Sequence, residues 1–270
     1  LGLSSTALKV WMEANTIQKH NSTTGLKETY NEKTGKRIAA IVPMHTFGFP
    51  CRIDKIAKVC ADFNIPLIED AAESLGSFYK NKHTGTFGLM GVLSFNGNKI
   101  LTTGGGGMIL TNDEELGNDL KHLTTQAKVP HKWDFIHDQI GYNYRMPNIN
   151  AALGVAQMEI FRNTLQNKRD LAEKYMKFFK DYQLIRDTEI TYLKEPSNTS
   201  ANYWLNTIVF SNPEVQKDFL AYSNENKIMT RPAWRLMNNL PMFSSTQKGV
   251  LTNSEWLENS LVNLPSSANY

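Results

Sequence analysis

Two reactive side chains in this sequence stand at the ends of short, largely apolar runs. Lys99 follows the run 91–95 and precedes four consecutive glycines. Asp70 closes the run 65–70. A desolvated lysine amine is a nucleophile that forms Schiff bases, and a carboxylate can keep a pyridine nitrogen protonated. A lysine and an acid at two strand ends are the fixed points that pyridoxal phosphate requires, so we predict this cofactor.

Each of these side chains also has a plainer interpretation. Asp70 alone would be read as a helix cap, and Lys99 alone as a surface charge. Their combination favours the cofactor, because a position between an apolar strand and a glycine run is a poor one for a solubilising lysine. Glu73 lies one helical turn beyond Asp70, and its carboxylate would either reach the cofactor's phenolic oxygen or be solvated at a helix start. Ser94 would donate to a phosphate or bond to backbone.

Other candidate site residues lie in polar turns. Asn143 and Arg145 precede a predicted helix and are candidates to bind anions, with a turn former and a surface charge as the alternatives. His45 is either a ligand contact or a structural histidine satisfied by backbone. The glycine run 104–107 would approach a ligand closely or form a turn, and it lacks the Gly-Lys-Ser/Thr ending of a Walker-type phosphate loop.

The elements that must position these residues alternate between strand and helix. The apolar patterns predict strands over 38–43, 65–70, 91–95, 108–111, 191–193 and 203–210, and helices over 7–15, 54–63, 113–123, 148–182, 215–225 and 254–262. The strand–helix–strand order predicts a parallel sheet with ligands beyond the carboxyl ends of its strands. His45, Asp70 and Lys99 would then share one crevice. The polar residues 21–36 predict a loop. The short strands and helices predicted after residue 184 indicate a smaller α+β domain.

Composition excludes several other classes of protein. The chain has 270 residues, of which 41% are hydrophobic and 20% charged, as in an ordinary globular protein. A net charge of +3, spread along the chain, argues against nucleic acid, and the apolar runs are too short to cross a membrane. Cys51 and Cys60 have neither metal-type nor disulfide-framework spacing, which favours two buried thiols in a cytoplasmic protein.

Four stretches follow one another in an order and spacing that match a known family. They are 42–48 (VPMHTFG), 69–76 (EDAAESLG), 94–99 (SFNGNK) with 102–104 (TTG), and 141–146 (GYNYRM). Together they resemble the DegT/DnrJ/EryC1/StrS family of sugar-nucleotide aminotransferases, over essentially the whole chain. The resemblance implies the α/β fold of type I pyridoxal phosphate enzymes, a mostly parallel sheet with helices on both faces. It implies a large cofactor-binding domain over 1–160, then a linking helix and small C-terminal α+β domain over 161–270.

The resemblance also implies roles for individual residues. Lys99 would form the Schiff base, Asp70 would pair with the pyridine nitrogen, and Glu73 would lie near the phenolic oxygen. Ser94 would bind the cofactor phosphate, and Asn143 would reach the phosphate of the neighbouring subunit in a homodimer with shared active sites. We add three weaker candidates for contacts with the sugar nucleotide or glutamate, which are His45, Arg145 and Arg231.

The chain looks most similar to the branch that aminates UDP-linked 4-keto-6-deoxy-N-acetyl sugars with glutamate, in the bacillosamine and legionaminic acid routes. Glu73 and the Asn-Gly-Asn before Lys99 fit that branch, as do the segments 202–206 and 230–232. Amination of another keto sugar nucleotide, GDP-linked or 3-keto, stays open. So does a nucleotide-sugar-binding module without catalysis. A family dehydratase would carry histidine in place of Lys99.

The first residues suggest that the chain is a fragment. It does not begin with Met, and its first residues read as the start of a helix inside a domain. Members of the family carry an earlier segment with a phosphate-binding turn and a residue that stacks on the cofactor ring. We therefore expect the chain as given to bind pyridoxal phosphate poorly or to be inactive.

Overall fold

The protein is described by a computed structural model over residues 1–23, 25–186 and 190–268. The helices are α1 (Ser5–Asn15), α2 (Ile53–Asp62), α3 (Glu114–Thr124), α4 (Asn148–Arg186), α5 (Pro213–Glu225) and α6 (Thr252–Ser260). The strands are β1 (Thr16–His20), β2 (Lys27–Asn31), β3 (Ile68–Asp70), β4 (Phe78–Tyr79), β5 (Lys82–His83), β6 (Met90–Ser94), β7 (Gly107–Leu110), β8 (Ile190–Tyr192), β9 (Thr199–Ser200), β10 (Asn206–Phe210), β11 (Arg231–Pro232) and β12 (Leu261–Leu264). Within these described ranges, no helix is both long and apolar enough to cross a membrane.

The chain divides into two compact units. The first contains residues 1–163 and 197–202, and the second contains 164–196 and 203–270. The predicted boundary after residue 160 does not anticipate that the short segment 197–202 belongs with the first unit. That segment carries β9, which pairs antiparallel with β4.

The first unit is organised around a sheet in the order β3–β6–β7. Strands β3 and β6 are parallel, and β6 and β7 are antiparallel. Parallel bridges at Ile41 and Met44 continue the sheet beyond β3. Helix α2 covers this region with Ile53, Ile56 and Val59, whose helical spacing places them all in the core. The carboxyl ends of β3 and β6 consequently lie side by side.

Gly91 allows a close approach of two main chains in this sheet. A Cβ atom built on Gly91 would lie 2.1 Å from the carbonyl oxygen of Gly85. Only a residue without a side chain fits there. This contact packs the turn that begins at Gly85 directly against β6.

The predicted loop over 21–36 is wrong for residues 27–31, which form β2. Strands β1 and β2 form an antiparallel hairpin in which Ile17 opposes Tyr30. The hydroxyl of Thr29 is buried and donates to the carbonyl of Phe63 at the end of α2. A tertiary contact therefore orders a polar stretch that has no apolar run of its own. Conversely, the predicted strand 38–43 is reduced to isolated bridges.

The second unit is built on an antiparallel sheet in the order β11–β12–β10–β8. Every residue of β10 and of β12 is buried. The predicted helix 254–262 ends at Ser260 instead, and the next four residues form β12 between β10 and β11. Pairing on both edges overrides the helical pattern there.

Candidate active site

The ends of β3 and β6 bring three of the predicted site residues into one place. Asp70 is the last residue of β3, Glu73 lies in the turn that follows, and Lys99 follows β6. The Nζ atom of Lys99 lies 3.8 Å from Oε1 of Glu73, and the two side chains are only 13% and 8% exposed. A lysine and two acids thus share a partly buried site beyond two parallel strands.

Burial moves Lys99 and Glu73 towards their neutral forms. It lowers the pKa of Lys99, while the nearby carboxylates of Glu73 and Asp70 oppose that change. It raises the pKa of Glu73, against the stabilising effects of the Phe47 N–H and of Lys99. A lysine with a lowered pKa has a larger fraction of nucleophilic free amine at neutral pH.

The main-chain N–H of Phe47 binds one oxygen of the Glu73 carboxylate, and Lys99 faces the other oxygen. The N–H of Phe47 donates to Oε2 of Glu73 at 2.7 Å, whereas Lys99 faces Oε1. Phe47 occupies the left-handed region of backbone space, with φ 59° and ψ 18°, inside the short 3-10 helix Thr46–Gly48. Non-glycine residues rarely adopt this conformation, and it is found preferentially at functional sites.

Asn202 fixes the main chain around Glu73. Its side-chain Nδ2 donates to the carbonyls of Glu73, at 2.8 Å, and of Leu75, at 2.9 Å. Ser77 links the same region, since its hydroxyl donates to the Gly48 carbonyl and accepts from the N–H of Asn202. Asn202 and Ser77 are fully buried. The turn that carries Glu73 is therefore held by side chains from distant parts of the sequence.

His45 is not at the surface of this site. Its ring is fully buried, Nε2 donates to Oε2 of Glu69 at 3.0 Å, and Nδ1 accepts from the N–H of Cys51 at 3.2 Å. Both ring nitrogens are thus used inside the protein. The expected substrate contact by His45 is corrected to the structural alternative.

Glu69 is the buried carboxylate that anchors His45. Its oxygens also accept main-chain N–H groups of Gly85 at 2.8 Å, Phe87 at 2.5 Å and Gly88 at 2.9 Å. Burial opposes its ionisation, but the hydrogen bonds from His45 and the backbone outweigh this effect and lower the pKa of Glu69. Sequence reasoning missed Glu69, although an acid inside an apolar strand is a signal that buried donors must be nearby.

The thiol of Cys51 completes an arrangement that resembles a nucleophile beside a histidine and an acid. Its Sγ lies 3.5 Å from Nδ1 of His45. Burial, and then the charge of Glu69, raise the pKa of the Cys51 thiol to about 12. A buried thiol with this pKa is unreactive at neutral pH, so the arrangement is structural.

The remaining candidates are Ser94 at the end of β6 and three exposed residues. Ser94 ends β6, where its half-buried hydroxyl accepts the N–H of Asn96 at 3.3 Å. Asn143 and Arg145 are exposed, and Asn143 forms a backbone bridge with Thr125. Arg231 is exposed on β11 in the second unit. The structure thus brings Asp70, Glu73 and Lys99 together beyond β3 and β6.

The chemistry of this site fits pyridoxal phosphate. A low-exposure lysine amine would reach the aldehyde, and carboxylates are the groups that hold a pyridinium nitrogen. The lysine and the first acid lie beyond neighbouring parallel strands. This fold and this pair of residues are those of the fold-type I class of pyridoxal phosphate-dependent transferases.

A family model assigns the chain to one family within this class. The model of the DegT/DnrJ/EryC1/StrS aminotransferase family matches residues 11–270, so the chain belongs to that family. The resemblance predicted from the four sequence motifs is thereby confirmed. The members of this family are pyridoxal phosphate-dependent sugar aminotransferases.

Named relatives and solved structures agree with this placement. The chain is 34% identical over 240 residues to GDP-perosamine synthase of Escherichia coli O157:H7, covering 88% of this chain and 64% of that protein. It is 31% identical over 166 residues to UDP-4-amino-4,6-dideoxy-N-acetyl-beta-L-altrosamine transaminase of Campylobacter jejuni, covering 61% and 44% respectively. The chain therefore spans less than two thirds of the length of these relatives.

The predicted fold class is confirmed by a solved structure. The fold matches that of Helicobacter pylori PseC, an aminotransferase involved in the biosynthesis of pseudoaminic acid, with a TM-score of 0.78. The match covers 86% of this chain and 62% of that one, at 24% identity. At this level of identity the likeness concerns the fold alone.

Proposed function

We propose that the protein transfers the amino group of glutamate to C4 of a nucleotide-linked 4-keto-6-deoxy sugar, with pyridoxal phosphate as cofactor. The products are the 4-amino sugar nucleotide and 2-oxoglutarate. One observation carries the proposal: Nζ of Lys99 lies 3.8 Å from a carboxylate oxygen of Glu73, beyond the parallel strands of a DegT-family fold.

We propose a role for each residue that would hold the cofactor. Asp70 would pair with the pyridine nitrogen, and Glu73 would lie at the phenolic oxygen. The Ser94 hydroxyl would donate to the phosphate, and Asn143 would serve the phosphate in a neighbouring subunit. When bound, pyridoxal phosphate supplies a ring that accepts the electron pair left at the donor's α-carbon.

Lys99 would bind the cofactor covalently and then move protons. Its lowered pKa keeps part of the amine unprotonated, as a base at the α-carbon requires. Once the donor's amine has displaced Lys99 from the cofactor, the free amine would accept the α-proton of the donor and, as an ammonium, would return it to the cofactor. Glu73 stabilises the charged form of Lys99 at that stage, because its carboxylate is the charge that most raises the pKa of Lys99.

Two nucleotide substrates merit direct comparison. The motif resemblance favours a UDP-linked, N-acetylated keto sugar, and a relative whose name specifies a UDP sugar matches 61% of the chain. A GDP-linked sugar is the second candidate, because GDP-perosamine synthase matches 88% of the chain at slightly higher identity. Arg145 and Arg231 are the exposed guanidinium groups that we propose for the diphosphate or the donor carboxylate.

We also propose a homodimer and a cytoplasmic location. Trp133, Ile140 and Tyr144, which are close to Asn143 in the sequence, expose 77%, 84% and 72% of their surface. Exposed apolar residues that lie together commonly mark protein–protein contacts. Cys51 and Cys60 are unbridged, as expected in a reducing compartment.

The first test is covalent capture of the cofactor. The protein is mixed with pyridoxal phosphate, reduced with borohydride and digested, and the peptide that carries Lys99 is examined by mass spectrometry. We expect the phosphopyridoxyl group on Lys99, and its loss in Lys99→Ala. Lys55→Ala, at an exposed lysine of α2, is the matched control and should leave Lys99 labelled. Labelling spread over surface lysines with none on Lys99, both in this chain and in a protein extended at its N-terminus to the length of its relatives, would overturn the proposal.

The second test assigns the substrate. The protein is given pyridoxal phosphate, glutamate and either a UDP-linked or a GDP-linked 4-keto-6-deoxy sugar, and the sugar products are weighed by mass spectrometry. We expect an amino sugar nucleotide from one nucleotide in clear excess, together with 2-oxoglutarate. Labelling of Lys99 without any amino sugar from either substrate would contradict the sugar specificity and leave the cofactor assignment standing.

A further inference from the structure

We infer that His45 is a positioning residue: bonded to Glu69 and to the main chain of Cys51, it fixes the turn whose Phe47 N–H holds Glu73 beside Lys99. His45 touches none of the reacting groups and acts through this turn. For catalysis the inference rests on the proposed function, whereas the mechanical link from His45 to Lys99 does not.

The first step of the argument is the unfavourable conformation of Phe47. With φ 59°, its backbone lies where a side chain is poorly accommodated, and its ring is almost completely buried. This conformation directs the Phe47 N–H to the Glu73 carboxylate. A backbone in this unfavourable region persists only when several contacts with its surroundings hold it there.

The second step is that His45 provides this constraint. It precedes the turn, and its Nδ1 accepts the N–H of Cys51, which follows the turn, so that the ring closes the segment from 45 to 51. On the other side, Nε2 donates to Glu69, a residue of β3 that carries four hydrogen bonds. The main-chain N–H of His45 donates to the Asp70 carbonyl at 3.0 Å. The turn is thereby tied to the strand that ends in Asp70.

The third step is the electrostatic consequence. The Phe47 N–H favours the ionised form of Glu73, and ionised Glu73 favours the ammonium form of Lys99. The carboxylates of Glu73 and Asp70 both raise the pKa of Lys99. If the turn relaxes, Glu73 loses a donor and is protonated more readily, so Lys99 loses part of the charge that raises its pKa.

The test measures the pKa of Lys99 in the protein without cofactor. Competitive acetylation between pH 6 and 11, read by mass spectrometry of the Lys99 peptide, gives this pKa, with exposed Lys55 as the internal standard. His45→Asn retains an acceptor for Cys51 and loses the donor to Glu69. His45→Gln retains the donor and loses the acceptor, and it provides a second variant if the first does not fold. Circular dichroism establishes that each variant is folded.

We expect the pKa of Lys99 to fall by about half a unit or more in either His45 variant. Glu73→Gln should lower it as well, and adding His45→Asn to Glu73→Gln should produce no further fall, because both changes act on one contact. Val59→Ala is the control for general loosening, since it removes core volume from α2, the helix that follows the turn. It should lower the melting temperature and leave the pKa of Lys99 unchanged.

Three results would overturn the inference. They are a Lys99 pKa that is unchanged or raised in the folded His45 variants, an additive effect in the double variant, and an equal shift in Val59→Ala. Because the pKa measurement uses no cofactor, its result does not depend on whether Lys99 captures pyridoxal phosphate. If pyridoxal phosphate is not captured on Lys99 but the pKa of Lys99 still falls in the His45 variants, the proposed function is rejected and the positioning role of His45 stands.

Discussion

Asn202 holds the main chain of Glu73 through a 2.8 Å hydrogen bond between residues that are 129 positions apart in the sequence. The same amide nitrogen donates to the carbonyl of Leu75. One side chain from the segment 197–202 thus satisfies two carbonyls of the turn that carries the candidate site's second acid. The site in the first unit therefore depends on a segment that follows the long helix α4, most of which belongs to the second unit.

Asn202→Ala should destabilise the protein by about 1–3 kcal/mol, because it leaves two buried carbonyls without their donor. Asn202→Asp should cost more, since it places a carboxylate oxygen against them. Asn259→Ala is the control, as its amide bonds an exposed helical carbonyl, and it should change stability by less than about 0.5 kcal/mol. Urea unfolding measures all three. Equal midpoints for Asn202→Ala and the wild type would contradict the anchoring role.

Gly91→Ala should destabilise the first unit by about 3 kcal/mol or more, because the new Cβ would lie 2.1 Å from the Gly85 carbonyl oxygen. Gly97→Ala is the matched change, since a Cβ at Gly97 meets nothing within 4 Å. It should stay within about 1 kcal/mol of the wild type. Thermal unfolding of both variants checks the contrast, and similar melting temperatures would show that the close approach tolerates a side chain.

Lys168 should give the second unit a stability that rises with pH. Its ammonium is buried against the carbonyls of Trp204 and Ser266, and burial lowers its pKa from 10.5 to about 8. Between those two values the unfolded chain keeps a proton that the folded protein has released. The free energy of unfolding therefore increases with pH in this window, by at most about 1.4 kcal/mol per unit.

Urea midpoints at pH 7.5, 8.5 and 9.5 test this prediction. Lys168→Met should lose the rise that the wild type shows, because it has no proton to release. Lys217→Met, at an exposed lysine of α5, should keep the wild-type slope. Parallel profiles for Lys168→Met and the wild type would mean that the buried lysine keeps its proton in the folded protein.

Cys51 and Cys60 should resist iodoacetamide in the native protein at pH 8. Burial raises the pKa of their thiols to about 12 and about 11, so almost no thiolate is present at that pH. A cysteine placed at exposed Ser22 by Ser22→Cys should be alkylated within minutes, and all three should react in denaturant. Alkylation of native Cys51 as fast as the introduced cysteine would indicate that His45 activates its thiol.

The chemistry of the site was easier to predict from the sequence than its supports. Lys99 and Asp70 stand out because charged residues at the ends of apolar strands are rare and because parallel strands bring their ends together. One partner of the Glu73 carboxylate is the backbone N–H of Phe47, a group that every residue except proline possesses, so no residue type marks it. The role of His45 depends on both of its ring nitrogens, and a sequence shows neither its burial nor its partners.

The limits on the fold prediction have the same origin. The hairpin of β1 and β2 is polar and gains its order from contacts with the end of α2, such as that of Thr29 with Phe63. Strand β12 reads as the end of a helix because its pattern is short, and pairing on both edges decides its conformation. Long helices such as α4 carry enough repeats of their pattern to be predicted from sequence alone.

The position of Asn202 in the chain also matters during synthesis. A ribosome that adds about 5–20 residues per second needs on the order of ten seconds to pass from Glu73 to Asn202. Throughout that interval the nascent first unit lacks β9 and the donor that anchors the Glu73 turn. Premature termination between residues 99 and 202 would therefore release a chain that carries Asp70, Glu73 and Lys99 without the Asn202 amide that anchors the turn.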